Sequence, residues 1–319
     1  MKKVALLATG GTISTAKDVS GVIPTLGATQ LLDGINGYLS NIEVVPIDVS
    51  KMSSRNVTPG DIWRLSHAVE RCIELGYDGV VITHGTDTLE ETVYGLSVLL
   101  QRTIPVIMTG AMISPSRPGA DGVSNLIDAV IAASDFRLAT FGPLLSFQNE
   151  LFAARYATKK SSTRTDAFDA PFMGAIGRVV EDKVELFVTK LNFDDYLGES
   201  PEPTLRIEIV SSYTGADGLL VDLLAPEVDG LIVAGTGGGH TSAAMAESLI
   251  RLAATGKPVI LASRTFDGLV LENTYGGVGS EIHLLNNGLL SARDLSPYKA
   301  RLRLLFGMQS GRLPAEIFS

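Results

Sequence analysis

Two threonine-bearing segments stand out as candidates for chemistry. Thr9-Gly10-Gly11-Thr12-Ile13 follows the apolar run Val4–Ala8, and His84-Gly85-Thr86-Asp87-Thr88 follows a second run, Asp78–Thr83. In an open α/β sheet, ligands bind at the loops outside the carboxyl ends of the strands. Hydroxyls delivered there, one with a carboxylate beside it, suit nucleophilic attack by threonine. A threonine hydroxyl is a poor nucleophile at its own pKa and needs a base. A lysine can supply one where burial and neighbours favour its neutral form. The same residues also have a structural reading, in which Asp87 or Thr88 caps a helix Leu89–Leu100 with Glu90 and Glu91 favourable in its first turn. The two readings are compatible, and composition does not choose between them.

Other chemistries fit less well. Gly235-Thr236-Gly237-Gly238-Gly239-His240 fails the dinucleotide pattern because His240 stands where the third glycine belongs. Thr9-Gly10-Gly11-Thr12 lacks the Gly-Lys-Ser/Thr of a phosphate-binding loop. The histidines are His67, His84, His240 and His283, and none pairs with another at a metal-ligand spacing. His67 falls in a helical pattern and His283 in a strand-like one, and His84 reads as a loop brace rather than a base. No Gly-x-Ser-x-Gly elbow supports a serine hydrolase.

The elements that must position the threonine loops alternate along the chain. Val4–Ala8, Val44–Val49, Asp78–Thr83, Ile104–Thr109 and Leu144–Phe147 read as strands. Thr58 and Pro59 open a helix over Asp61–Leu75 that Gly76 ends, and Leu89–Leu100 and Asn125–Ala133 also read as helices. This repeated β-α-β pattern predicts a parallel sheet covered on both faces. Thr12, Ser53-Ser54-Arg55, His84–Thr88 and Gly110-Ala111-Met112 each follow a strand, so four loops should converge at the carboxyl edge. The polar, proline-containing segment 197–206 reads as a linker between an N-terminal α/β domain, 1–196, and a smaller one, 207–319. There the strands are Ile207–Val210, Gly230–Ala234 and Val259–Ala262, with helices over Asp217–Leu224 and Ser242–Ala254.

The chain has 319 residues, 45% of them hydrophobic, and a formal net charge of −9. That length predicts two domains. The acidic balance offers no electrostatic footprint for nucleic acid or an anionic membrane, so neither is expected as a partner. The single cysteine, Cys72, excludes an intrachain disulfide and fits a reducing compartment. It reads as a small buried apolar group within a helix. The apolar stretch after Met1-Lys2-Lys3 is too short for a signal peptide, and no apolar run is long enough to span a bilayer. A cytoplasmic location is the expectation.

Ala8-Thr9-Gly10-Gly11-Thr12-Ile13 and Ile82-Thr83-His84-Gly85-Thr86-Asp87-Thr88-Leu89-Glu90-Glu91-Thr92 together resemble the two loops of the bacterial-type L-asparaginase/glutaminase family. The resemblance continues through Thr109-Gly110-Ala111-Met112, Ala120-Asp121-Gly122 with Asn125, Lys159 with Asp166-Ala167-Phe168, Ser263-Arg264 and Lys299-Ala300-Arg301. It implies a larger N-terminal and a smaller C-terminal α/β domain, assembled as a homo-oligomer, dimer or tetramer. It also implies amide hydrolysis through an acyl-threonine intermediate, with no metal or organic cofactor. By that resemblance Thr12 is the primary nucleophile on a mobile flap, and Thr86, Asp87 and Lys159 form a second triad. Lys159 rather than Lys160 matches the family's spacing to Asp166-Ala167-Phe168. Backbone N–H groups around Gly11–Thr12 and Thr86–Asp87 would hold the oxyanion.

Substrate would meet Gly11, Ser54, Arg55, Ala111 and His240. Several of these positions depart from the family. Val22 stands where the flap carries a tyrosine. Ser54-Arg55-Asn56 replaces the usual carboxylate-binding loop, and Arg55 either suits a carboxylate or points to solvent. Ile113 replaces an arginine, His240 replaces an asparagine, and Tyr275 falls where some members hold a glutamate. The expected function is hydrolysis of L-asparagine to L-aspartate and ammonia. The alternatives are the same mechanism on glutamine, a succinamate-like amide or a cyclic imide, and a non-catalytic ligand-binding protein on the same scaffold.

Overall fold

A computed structural model describes residues 1–18, 21–24, 26–193 and 195–319, with backbone only for 15–18 and 21–24. Two compact units emerge, Met1–Tyr196 and Leu197–Ser319. The first is built on an eight-stranded sheet. Across it run Lys183–Leu186, Gly177–Val180, Glu150–Ala153, Leu144–Phe147, Val106–Thr109, Gly79–Thr83, Lys2–Gly10 and Ile42–Met52.

The last five strands in that order are mutually parallel, with Ala8 opposite both Asp48 and Thr83, and Thr83 opposite Thr109. The first three join antiparallel. The parallel sheet expected from the sequence is present in these five strands, and the antiparallel strands extend it at one edge. The antiparallel strands are four residues each, and tight turns join Leu144–Phe147 to Glu150–Ala153 and Gly177–Val180 to Lys183–Leu186, while residues 154–176 link the two pairs. Gln148, Asn149, Glu181 and Asp182 take positive φ at those turns, which is what lets such short connections reverse the chain. No helical crossover separates these strands, so the β-α-β rhythm that signalled the parallel part is missing.

Val4, Ala5, Leu6 and Leu7 are fully buried, as are Val80, Val81 and Ile82. Successive side chains on a strand point to opposite faces, so both faces of the central sheet are covered. On one of them the helix Gly122–Ser134 contributes Leu126, Ala129 and Val130 to a core with Val4, Leu6, Val81 and Ile107. The helix Pro59–Glu74 starts with a capping box, in which Thr58 Oγ1 accepts from the Asp61 N–H and Asp61 accepts from the Thr58 N–H. Cys72 is buried in this helix, and burial raises its thiol pKa.

The second unit holds a four-stranded parallel sheet in the order Ile207–Ser211, Gly230–Gly235, Val259–Ser263 and Leu290–Ser291. Its helices are Leu219–Leu224, Ala243–Ala254, Glu281–Asn286, Pro297–Gln309 and Pro314–Ile317. His283, expected in a strand, lies in the helix Glu281–Asn286, capped by the Ser280 hydroxyl that accepts from the His283 N–H. The short apolar run Ile282, Leu284, Leu285 does not distinguish strand from helix by periodicity, and the cap settles it. Among the described residues, no helix is long and apolar enough to cross a membrane.

Candidate active site

The strands Lys2–Gly10, Ile42–Met52, Gly79–Thr83 and Val106–Thr109 end side by side, and the loops that leave them are pressed together. Glycine permits this contact. A Cβ on Gly10 would stand 2.4 Å from the Met52 carbonyl oxygen, and one on Gly11 would stand 2.3 Å from the Gly85 nitrogen. A Cβ on Gly85 would stand 2.6 Å from Ser54 Oγ, and one on Gly110 would stand 2.6 Å from the His84 oxygen. Gly10 and Gly11 also take φ of +114° and +84°, which side chains rarely adopt. The Thr88 hydroxyl donates to the Ser54 carbonyl at 2.8 Å, tying two of the loops directly. Thr88 sits at the N-cap position of the helix Leu89–Leu99 but makes no side-chain cap, because its hydroxyl is committed to Ser54.

Thr12 opens a single 3-10 turn, Thr12–Ser14, and is half-buried. The turn is anchored by the Ser14 N–H on the Gly11 carbonyl and by Ile13, which is buried. A Cβ on Gly122 would meet Ile13 at 2.9 Å and the Ala111 methyl at 3.3 Å. The Ala111 loop is held in turn by Asp121, whose carboxylate accepts from the Met112 and Ile113 N–H groups. Asn125 donates to the Gly110 carbonyl at 3.0 Å.

Thr86 is buried, and Asp87 beside it is exposed. Lys159 Nζ lies 2.9 Å from Thr86 Oγ1 and 2.8 Å from Asp87 Oδ1. The lysine arrives on the strand Thr158–Lys159, paired antiparallel with Phe168–Asp169. Its own N–H donates to Glu90 Oε2 at 3.0 Å, which fastens this strand to the first turn of the helix after Asp87. Lys160 turns the other way, to Asp169 at 3.1 Å and Asp166 at 3.9 Å. Of the two adjacent lysines, Lys159 alone contacts Thr86, since neighbours on a strand face opposite sides.

His84 is buried, with Nδ1 2.7 Å from the Gly85 carbonyl and Nε2 3.2 Å from Thr92 Oγ1. Burial lowers its pKa to about 4, so the ring is neutral at pH 7. It braces the loop and makes no contact with Lys159.

Ser54 is buried against Gly85, whereas Arg55 is exposed and joined by no hydrogen bond or ion pair to any described residue. Val22 lies on a strand Gly21–Pro24 paired with Thr15–Asp18, but its side chain is outside the described residues. His240 belongs to the second unit. Its Nε2 lies 3.0 Å from Glu281 Oε2, and its ring meets Tyr275 edge-on. Glu281 is buried and its carboxyl also accepts from the Thr274 and Tyr275 N–H groups; against the opposing effect of burial, these bonds hold its pKa below the ordinary range. Among the described residues, no three His, Cys, Asp or Glu side chains are grouped to hold a metal. Glu90 and Thr92 support the site, although the sequence marked Glu90 only as a favourable first-turn acid and Thr92 only as part of the matching loop. The only local signal was their place in the first turns of a helix, and their partners are 69 and 8 residues away.

Residues 3–191 match the family model described as Asparaginase, N-terminal, and residues 206–318 match the Glutaminase/Asparaginase C-terminal domain. The chain is 34% identical over 318 residues to a probable L-asparaginase of Deinococcus radiodurans, covering 98% of this chain and 94% of that protein. It is 31% identical over 310 residues to an L-asparaginase of Bacillus licheniformis, covering 95% of this chain and 94% of that one. The crystal structure of a probable cytoplasmic L-asparaginase from Campylobacter jejuni shares the fold with a TM-score of 0.87 at 27% identity, covering 99% of this chain and 98% of the other.

Proposed function

The chain belongs to the bacterial-type L-asparaginase/glutaminase family, and from that premise we propose how its residues carry out the reaction. The protein is an amidohydrolase that converts L-asparagine to L-aspartate and ammonia. Thr12 is the nucleophile. Its Oγ1 attacks the side-chain amide carbon as its proton leaves, and the carbonyl electrons move to oxygen. Backbone N–H groups at Gly11–Thr12 and Thr86–Asp87 stabilise that oxyanion. Collapse of the tetrahedral species expels the nitrogen, which takes a proton and leaves as ammonia. The resulting ester on Thr12 is then attacked by water, which restores the hydroxyl.

The observation that carries this reading is the position of Lys159 Nζ, within hydrogen-bond reach of both Thr86 Oγ1 and Asp87 Oδ1. Lys159, steadied beside Asp87, acts as the neutral amine and draws the Thr86 proton, which the departing nitrogen later takes. Thr86 in turn deprotonates the incoming group. Ser54, Gly11 and Ala111 line the place where substrate sits. Exposed Arg55, with no described partner, supports a second reading in which a different carboxylate-bearing amide is preferred, glutamine or a succinamate-like compound; a cyclic imide is the remaining alternative substrate. The protein works as a homo-oligomer, a dimer or tetramer, in the cytoplasm. Family membership supports the first point, and the cytoplasmic description of the Campylobacter jejuni protein supports the second.

Ammonia release measured across asparagine, glutamine, succinamate and a cyclic imide tests the substrate. Tight binding without turnover of any of them would leave a ligand-binding protein instead. Thr12→Ala and Thr86→Ala should each lower kcat by about 10²-fold or more with the fold intact. Wild-type turnover in Thr12→Ala, or no acyl adduct on Thr12 by mass spectrometry of a quenched reaction, would sink the nucleophile assignment.

A further inference from the structure

His84 lies two residues before Thr86 and is buried. The Gly85 carbonyl oxygen can only accept a hydrogen bond, so His84 Nδ1, 2.7 Å away, carries the proton. In a neutral imidazole the other nitrogen then presents a lone pair. The contact of Nε2 with Thr92 Oγ1 at 3.2 Å is therefore donated by the threonine hydroxyl. Both partners are buried, so the ring is held in one tautomer and one orientation between the loop and the helix Leu89–Leu99.

This bond has a consequence one atom further along. The Gly85 carbonyl and the Thr86 N–H belong to the same planar trans peptide and point in opposite directions. Pinning the carbonyl on the histidine turns the Thr86 N–H away from the packed interior. That N–H donates to no described residue, although Thr86 is only 6% exposed. With no partner in the described protein, that donor is available to an acceptor on a bound ligand.

We infer that His84 is a positioning residue for hydrolysis: its Nδ1–H bond to the Gly85 carbonyl sets the Gly85–Thr86 peptide so that the Thr86 N–H meets the oxyanion of the substrate. The histidine touches no substrate and moves no proton. The inference rests on the placement of Thr86 at the reacting centre. It predicts that only one of the two ring nitrogens matters for the rate. Asparagine can place its Nδ2 where Nδ1 stood, whereas glutamine reaches only the place of Nε2.

The test compares His84→Asn, His84→Gln, His84→Leu and Thr92→Val by kcat, KM and Tm. Each is assayed on whichever amide the wild-type enzyme turns over fastest, so failure of asparagine as substrate would leave this comparison intact. His84→Gln and His84→Leu should lose about 10²-fold in kcat, the scale of one oxyanion donor, with KM within about threefold. His84→Asn should recover kcat to within about fivefold of wild type, also judged against that scale. Thr92→Val should lower Tm while keeping kcat within about twofold, because it breaks the outer bond alone. Equal kcat in the Asn and Gln variants, or a kcat loss that tracks Tm across all four, would overturn the inference. If His84→Leu fails to fold, the Asn and Gln pair decides it.

Discussion

The backbone of Gly11 lies against that of Gly85 so closely that a Cβ at residue 11 would stand 2.3 Å from the Gly85 nitrogen. Each glycine immediately precedes one of the two threonines, so their contact sets the separation of the two hydroxyl-bearing loops. Gly11→Ala forces a backbone shift and also strains a φ of +84°. We expect a cost of about 4 kcal/mol, at the high end for a point substitution. In a two-unit chain this should appear as a fall in Tm of about 10 °C, with activity lost before the unfolding transition. A thermal melt and activity like wild type would show that the loops are not held by this contact.

Lys159 and Lys160 are adjacent in sequence yet have separate partners. Lys159→Met should lower kcat by about 10²- to 10⁴-fold, the range for a positioned acid–base group. Lys160→Met removes a half-exposed ion pair with Asp169 and should cost about 1 kcal/mol or less. Steady-state ammonia release from the two purified variants separates them. Comparable losses would mean that the relay does not run through Lys159.

Asp128, on the helix Gly122–Ser134, is pushed up from 3.8 to about 6 by burial, with Asp182 adding to the effect. A carboxyl with a raised folded-state pKa binds more protons folded than unfolded. Its neutral form is therefore favourable at low pH, and stability is lost as pH rises from about 4 through about 6. The full shift corresponds to about 3 kcal/mol, which partial exposure of the site reduces to about 1 kcal/mol. Asp128→Asn should raise Tm at pH 8 and leave it nearly unchanged at pH 4. The same increment at both pH values would assign the effect to packing rather than charge.

Arg55 is exposed beside buried Ser54. A cation there attracts a dianion more than a zwitterion, and salt weakens the effect. Arg55→Gln should weaken inhibition by succinate about fivefold at low ionic strength and less in high salt, with kcat for the preferred amide maintained. An inhibition constant unchanged at low salt would mean that the guanidinium faces solvent only.

Much of the framework was legible along the chain. The strand now seen as Lys2–Gly10 was readable from its unbroken apolar run, and the helix Pro59–Glu74 from Thr58 and Pro59. These signals are local, because burial pattern and capping act over a few residues. The antiparallel edge was not legible, since four-residue strands carry too little periodicity and no helix separates them. Nor was the fate of Thr88, whose residue type suited a cap and whose hydroxyl instead reaches the Ser54 carbonyl.

Sequence alone pointed to two threonines and a carboxylate at the ends of buried strands, and resemblance added a lysine from one of two neighbours. Folding decided that Lys159 reaches Thr86 across 73 positions while Lys160 turns to Asp169. It also decided that His84 clamps Gly85, and that Glu90 grips the Lys159 backbone. Residue type and spacing constrain what a loop can do, because hydroxyl, amine and carboxylate chemistry is intrinsic to the side chain. Which groups come within 3 Å of one another depends on how distant strands pack, and that follows from burying the whole core at once.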